Sequence, residues 1–279
     1  MIAPKKLLFA TAGIPISTQP RDTSNGIRQC KALGLGAMEL EFVQSVNISM
    51  EKAPEIKKVA EENEIILTCH ASYFINLNAI EPQKRGASRS RIVQAAKILD
   101  LCGGYSVCFH PGFYLKMDSK KVYENVKAEL KKVLEELESY GTKVWIRPET
   151  TGKPTQFGSI EELANLSAEF DQVLPVVDFS HLHARTNGKY NTNKEFRSVM
   201  VLLEKKCGKE AIQNMHIHLS GINYTEKGER NHLILKESDM NYKDVLQVLK
   251  DFNAKGVLVC ESPNIEEDAL ILQKTFLGM

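Results

Sequence analysis

Seven histidines lie between His70 and His232 in this 279-residue chain. Four of them close or follow short apolar runs. His70 ends Ile65-Ile66-Leu67-Thr68-Cys69-His70, and His110 ends Tyr105-Ser106-Val107-Cys108-Phe109-His110. His181 follows Val176-Val177-Asp178-Phe179-Ser180, while His218 closes Met215-His216-Ile217-His218. Glu149 and Glu261 end similar runs. Imidazoles and carboxylates converging from separate strand ends form the donor set of a multinuclear site for Zn²⁺, with Mn²⁺ or Fe²⁺ as alternatives. The six cysteines include no Cys-x-x-Cys pair, which argues against an iron–sulfur centre. A carboxylate bridges two ions where an imidazole ordinarily binds one, so Glu149 is the candidate bridge. Ions about 3.5–4 Å apart polarise a phosphodiester, supply a hydroxide and stabilise the leaving oxygen.

His216 and His218 are two residues apart on one strand and face the same side. His218, nearer the strand end, is the candidate ligand, and His216 is read as a core or supporting residue. His183 falls in what reads as a loop after His181 and is expected to be a bystander.

These side chains need a scaffold that delivers strand ends to one place. Strand-like runs occur at 7–12, 37–42, 65–70, 105–110, 143–149, 174–179, 214–219 and 256–261. Segments with helical spacing separate them, at 50–63, 88–101, 118–140, 159–170, 193–206, 242–252 and 265–276. In the clearest, Val122, Val126, Leu130, Val133 and Leu137 form one stripe, with Asp118 as N-cap and Gly141 as the stop. The strands are β-branched and almost continuously apolar, as strands covered on both faces should be. The alternation predicts an α/β fold, a single-domain (β/α)₈ TIM barrel over residues 1–279, with the metal site at the C-terminal ends of the strands. The longest irregular stretch, 221–241, follows the seventh strand, and a loop of this length is usually functional.

Apolar residues make up 43% of the chain and charged residues 25%, ordinary values for a globular protein with its own core. A formal net charge of +1 excludes a globally basic nucleic-acid binder but permits a local basic rim. Lys84, Arg85, Arg89 and Arg91 cluster after the third strand, and Arg185, Lys189, Lys227 and Arg230 lie in other segments on the same side of the barrel. The cysteines sit in apolar runs and read as reduced core residues. With no signal-peptide pattern and no apolar run near the roughly 20 residues that span a bilayer, a cytoplasmic protein with no membrane partner is expected.

The segments Cys69-His70-Ala71-Ser72-Tyr73, Phe109-His110-Pro111-Gly112, Pro148-Glu149-Thr150-Thr151-Gly152, Val177-Asp178-Phe179-Ser180-His181, His218-Leu219 and Cys260-Glu261-Ser262 resemble the endonuclease IV family, in the family's order. That family comprises zinc-dependent apurinic/apyrimidinic endonucleases on a xylose-isomerase-like TIM barrel. The resemblance implies that His70 and His110 hold one zinc. Glu149 would bridge to a second held by Asp178, His218 and Glu261, and a third would use His181 and His232. It implies hydrolysis of DNA on the 5′ side of an abasic site by a metal-bound hydroxide, with Glu149 and Glu261 catalytic. Tyr73 and Arg230 would contact substrate, and the protein is expected to act as a monomer. Three segments differ from the family. The first strand ends Phe9-Ala10-Thr11-Ala12-Gly13 in place of a His-Val-Ser signature, and Val43-Gln44-Ser45-Val46 lacks an arginine that probes the DNA stack. The Asp-Arg-His triplet of the third metal appears as Glu229-Arg230-Asn231-His232, where Glu229 or a water would replace the aspartate.

Two other functions are open. One is a sugar isomerase or epimerase on the same barrel, needing only a one- or two-metal site and a closed pocket. The other is a non-catalytic nucleic-acid or metal-binding relative, against which the set of bridging carboxylates argues.

Overall fold

The computed structural model describes residues 4–279. Eight parallel strands form its centre: β1 (Leu7–Ala12), β2 (Ala37–Glu41), β3 (Ile66–His70), β4 (Ser106–Phe109), β5 (Trp145–Pro148), β6 (Val176–Asp178), β7 (Met215–Leu219) and β8 (Gly256–Cys260). Neighbours in chain order pair with one another except β5 with β6, and β8 pairs with β1. Between β5 and β6 the ring is spanned by the parallel bridges Ile146–Val173 and Glu149–Val176. The expected (β/α)₈ barrel is therefore what the chain forms, and all eight strands fall where the apolar runs place them.

The helices around it are α1 (Thr23–Ala32), α2 (Ala53–Glu62), α3 (Pro82–Leu101), α4 (Ser119–Ser139), α5 (Ile160–Ser167), α6 (Phe179–Arg185), α7 (Asn193–Gln213), α8 (Tyr242–Asp251) and α9 (Glu266–Gly278). Asp118 caps α4 by accepting from the Lys120 and Lys121 amides, and Ser159 and Glu162 close a capping box on α5. Gly208, at φ 76°, breaks α7 just past the expected end of that helix.

The structure corrects three expectations. Residue Phe179, read as the end of a strand, opens α6, so His181 and His183 lie on a helix rather than in a loop. The stretch 221–241 is largely ordered: Gly221–Thr225 and Gly228–Leu233 pair as an antiparallel ribbon, followed by a 3₁₀ turn at Leu235–Glu237. Helix α1, whose mean character is polar, was not anticipated by apolar spacing; its Ile27 and Cys30 alone supply a fully buried stripe.

Side chains alternate across each strand. Phe9, Met38, Leu40, Leu67, Val107, Phe109, Ile146, Ile217 and Leu258 face outward into the main core beneath the helices. Inside the barrel a smaller plug forms from Ala10, Ala37, Tyr105, Val257 and Val259, with Leu8, Ile66 and Trp145 against it. Arg147 is 1% exposed, and burial pushes its guanidinium down to about 10. It donates to the Asn214 carbonyl and to Asn214 Oδ1, each at 2.8 Å, and Tyr105 donates its hydroxyl to the same Oδ1. Above this plug the inward positions are polar, and the chemistry begins there.

Gly256 starts β8 at φ 126°, where a Cβ would lie 1.9 Å from the Met215 carbonyl oxygen on β7. Gly256→Ala is expected to lower unfolding free energy by more than about 2 kcal/mol in denaturant titration, through strain and backbone collision at a barrel seam. Wild-type stability in the variant would contradict this packing.

Candidate metal centre

The inward positions at the C-terminal ends of the strands bring the sequence-predicted residues together. Glu149 follows β5, is fully buried, and lies at the centre. Its Oε2 is 3.3 Å from His70 Nε2 and 3.1 Å from His110 Nε2. Its Oε1 is 3.1 Å from His218 Nδ1 and 3.2 Å from His181 Nδ1. One carboxylate thus spans two pairs of imidazoles, the geometry a bridge requires. Asp178, which ends β6, also caps α6 by accepting from the His181 amide at 2.8 Å, and its Oδ2 is 3.2 Å from His181 Nδ1. Glu261 Oε1 is 3.4 Å from His218 Nδ1.

The ribbon after β7 folds back over this cluster. It sets Glu229 Oε2 3.5 Å from His181 Nε2, and His232, which contacts the Glu261 carbonyl through Nδ1 at 3.0 Å, stands 5.7 Å ring to ring from His181. A cleft of about 380 Å³ opens above, lined by His70, Tyr73, His110, Lys153, Gln156, His181, Glu229, His232 and Glu261. Tyr73 stands at its rim, half exposed, with its ring 5.1 Å from that of His70. Arg230 is not in this cleft; it lines the adjoining groove with Lys153 and Lys227.

The basic residues singled out from sequence are largely occupied with structure. Arg85 and Arg89 of α3 pair with Glu129 of α4, and Lys84 pairs with Glu81. Arg185 donates to the carbonyls of Lys153 and Gln156 at 2.6 and 2.9 Å, which holds the segment after β5 in place. His183 is fully buried rather than solvent-facing. Its Nε2 is 3.0 Å from Asp239 Oδ1, and Tyr224 donates to Asp239 Oδ2 at 2.7 Å, which ties α6 to the ribbon.

Three residues beside the cluster were missed in sequence. Glu39 and Glu41 point inward from β2 two residues apart, and their signal was acidic alternation in a strand that should be apolar on both faces. Glu39 is 3.0 Å from both His216 Nε2 and His218 Nε2. Cys108 of β4, read as a core thiol, donates to Glu149 Oε2 at 3.0 Å.

Burial pushes these carboxyls toward their neutral forms, and the imidazoles oppose it. For Glu149 burial is outweighed by His110 and His218, which hold it well below the usual carboxylate range. Asp178 is pushed up to about 6 and Glu41 up to about 8, chiefly by burial and, for Glu41, by neighbouring Glu39. His70 would be lowered by burial, but Glu149 lifts it to about 9. The donor set fits metal ions. Asp178 Oδ2 and Glu261 Oε2 are buried without a hydrogen-bond partner, and ligand atoms of Glu149, Asp178, His218 and Glu261 all lie within 4.8 Å of one another. Further such groups form from His110, Glu149 and His181, and from Asp178, His181 and His232.

A parallel barrel with histidines and carboxylates massed at its C-terminal strand ends has the layout of a metal-binding barrel enzyme. The chain belongs to the family described as the xylose isomerase-like TIM barrel, whose sequence profile matches residues 27–276. It is 46% identical over 270 residues to an uncharacterized protein of Methanocaldococcus jannaschii, covering 97% of each chain. Among solved structures it is similar to a D-tagatose 3-epimerase-like protein, at TM-score 0.73 and 19% identity over 96% of this chain and 97% of the other. Endonuclease IV from Thermus thermophilus is similar at TM-score 0.70 and 19% identity, over 97% of this chain and 98% of the other. A D-psicose 3-epimerase follows the same path at TM-score 0.64 and 14% identity, over 96% and 97%. Identities this low establish a common fold and leave the reaction to the site. Among the described residues no helix is long and apolar enough to cross a membrane.

The raised Glu41 has a consequence for the metal-free protein. Between its ordinary value of 4.5 and about 8, the folded state holds a proton that the unfolded state releases. Folding stability from this group therefore falls as pH rises through that window. Glu41→Gln removes the titration, so its stability relative to wild type should be greater at pH 8 than at pH 5 in chelator-treated denaturant titrations; a pH-independent difference would contradict a buried neutral Glu41.

Proposed function

We propose that the protein is a metal-dependent phosphodiesterase that cleaves DNA 5′ to an abasic site, as in the endonuclease IV family. The observation that carries this reading is Glu149, whose two oxygens face imidazoles from four different elements. A one-ion site has no use for so many ligands. His70 and His110 would hold one ion, and Asp178, His218 and Glu261 a second, with Glu149 shared. His181 and His232 would hold a third, with Glu229 Oε2 3.5 Å from His181 Nε2. Zn²⁺ suits this mixture of imidazole and carboxylate, with Mn²⁺ or Fe²⁺ as alternatives. When bound, such ions polarise the phosphodiester and lower the pKa of water.

The chain's own groups complete the chemistry. Glu261, at the cleft floor, would hold an ion through one carboxylate oxygen and accept a proton from an attacking water through the other. Lys153 on the cleft wall supplies positive charge for a phosphate oxygen, and Arg230 and Lys227 continue it along the adjoining groove. Tyr73 presents a half-exposed ring at the rim, suited to packing against an unstacked nucleotide.

One observation favours a second reading. Glu149, Asp178, His218 and Glu261 by themselves complete a four-ligand site for a single ion, sufficient for epimerisation or isomerisation of a small sugar.

A duplex carrying one abasic site, an undamaged duplex and a ketohexose mixture should be incubated with the metal-loaded protein, with and without chelator. Chelator-sensitive cutting confined to the abasic duplex is expected, and Glu149→Gln should reduce its rate by more than about 100-fold while remaining folded. Sugar interconversion without strand cutting would overturn the nuclease reading in favour of the second.

A further inference from the structure

We propose that Glu39 is a positioning residue, which orients His218 from inside the barrel so that Nδ1 is presented to the metal centre. This rests on the metal reading above and concerns a residue one layer below the ligands.

Glu39, His216 and His218 are all fully buried, as are Thr68 and Ser106 beside them. Glu39 Oε1 is 3.0 Å from His218 Nε2. Its other oxygen accepts from Thr68 Oγ1 at 2.8 Å and lies 3.0 Å from His216 Nε2. His216 is in turn fixed through Nδ1, 2.8 Å from Ser106 Oγ. The carboxylate is therefore held from two sides and aimed at His218 by the third. Glu39 Oε1 and His218 Nε2 are buried with no hydrogen-bond partner elsewhere, and a carboxylate has acceptors only, so their 3.0 Å approach is attractive when Nε2 carries hydrogen. That leaves Nδ1, 3.1 Å from Glu149 Oε1 and 3.4 Å from Glu261 Oε1. These oxygens are acceptors as well, so Nδ1 faces them with a proton in the metal-free protein and would face them with its lone pair on a cation between when an ion is bound. The tautomer of His218 and the direction of its lone pair are thus set by Glu39, the role an outer carboxylate plays behind a metal-bound histidine.

A purely structural Glu39, included only to neutralise His216, would make different demands. It would need no contact with His218, and its loss would reduce stability without changing how His218 binds an ion.

The test compares wild type, Glu39→Gln and Glu39→Leu. Zinc affinity is read by chelator competition, the His218 ring by ¹⁵N NMR of the zinc-loaded protein, and stability by thermal unfolding after chelation. The Leu variant should lose roughly 10–100-fold in zinc affinity and lose the single Nε2-protonated His218 signature. The Gln variant, which keeps an acceptor, should fall between it and wild type. Folded Gln and Leu variants with unchanged zinc affinity and an unchanged His218 ring would overturn the role of Glu39 alone. A wild type that takes up no zinc would overturn the metal reading and this inference together.

Discussion

Burying an ionised carboxylate without a compensating charge costs several kcal/mol, and this barrel places five carboxyl groups, Glu39, Glu41, Glu149, Asp178 and Glu261, at the C-terminal ends of its strands, of which Glu41 answers the cost by keeping its proton. The histidines answer that constraint in the protein alone: His70, His110, His181 and His218 surround Glu149, and His218 also stands against Glu39. Their number still leaves the Asp178 and Glu261 oxygens without partners. Divalent cations at the same place would satisfy those oxygens and relieve the repulsion between them. The concentration of buried carboxyl groups, more than any one ligand, makes this end of the barrel the candidate metal centre.

The opposite end of the barrel is built to carry that centre. A small apolar plug and the Arg147–Asn214–Tyr105 network close the bottom, so the polar middle layer rests on a filled floor. The three levels have different tasks. The floor fixes the strands, the Glu39–His216–Ser106 layer orients what lies above, and the upper ring presents ligands to the cleft. The ribbon after β7 adds a fourth group of side chains from outside the barrel, tied to α6 by His183, Asp239 and Tyr224. That attachment gives the buried His183 a structural purpose which its position in sequence did not suggest.

The strands and the ligands on them are legible in the sequence because a strand buried on both faces is a continuous apolar run, and a polar residue at its end stands out. His70, His110, Glu149 and His218 are visible on that ground. Glu39 and Glu41 are not, because acidic residues within a run read as an interruption rather than as a face pointing into a polar barrel interior. Helix α6 is too short for a periodic signal, and its N-cap, Asp178, doubles as a strand end. The ribbon at 221–233 is hidden by its composition, since Lys, Glu, Asn and Gly mark loops by propensity while pairing here is decided by packing over the site. The basic cluster on α3 shows the opposite failure: charge visible in sequence proves to be paired with Glu129 and Glu81.

A sugar-binding barrel and a nucleic-acid-cleaving one share this scaffold, and what separates them is how many ions Glu149 serves. Anomalous scattering at the zinc edge from crystals of the metal-loaded protein measures that directly. The account predicts at least two peaks flanking Glu149, one against His70 and His110 and another against Asp178, His218 and Glu261. A single peak that leaves His70 and His110 without an ion, or no peak at this end of the barrel, would contradict it.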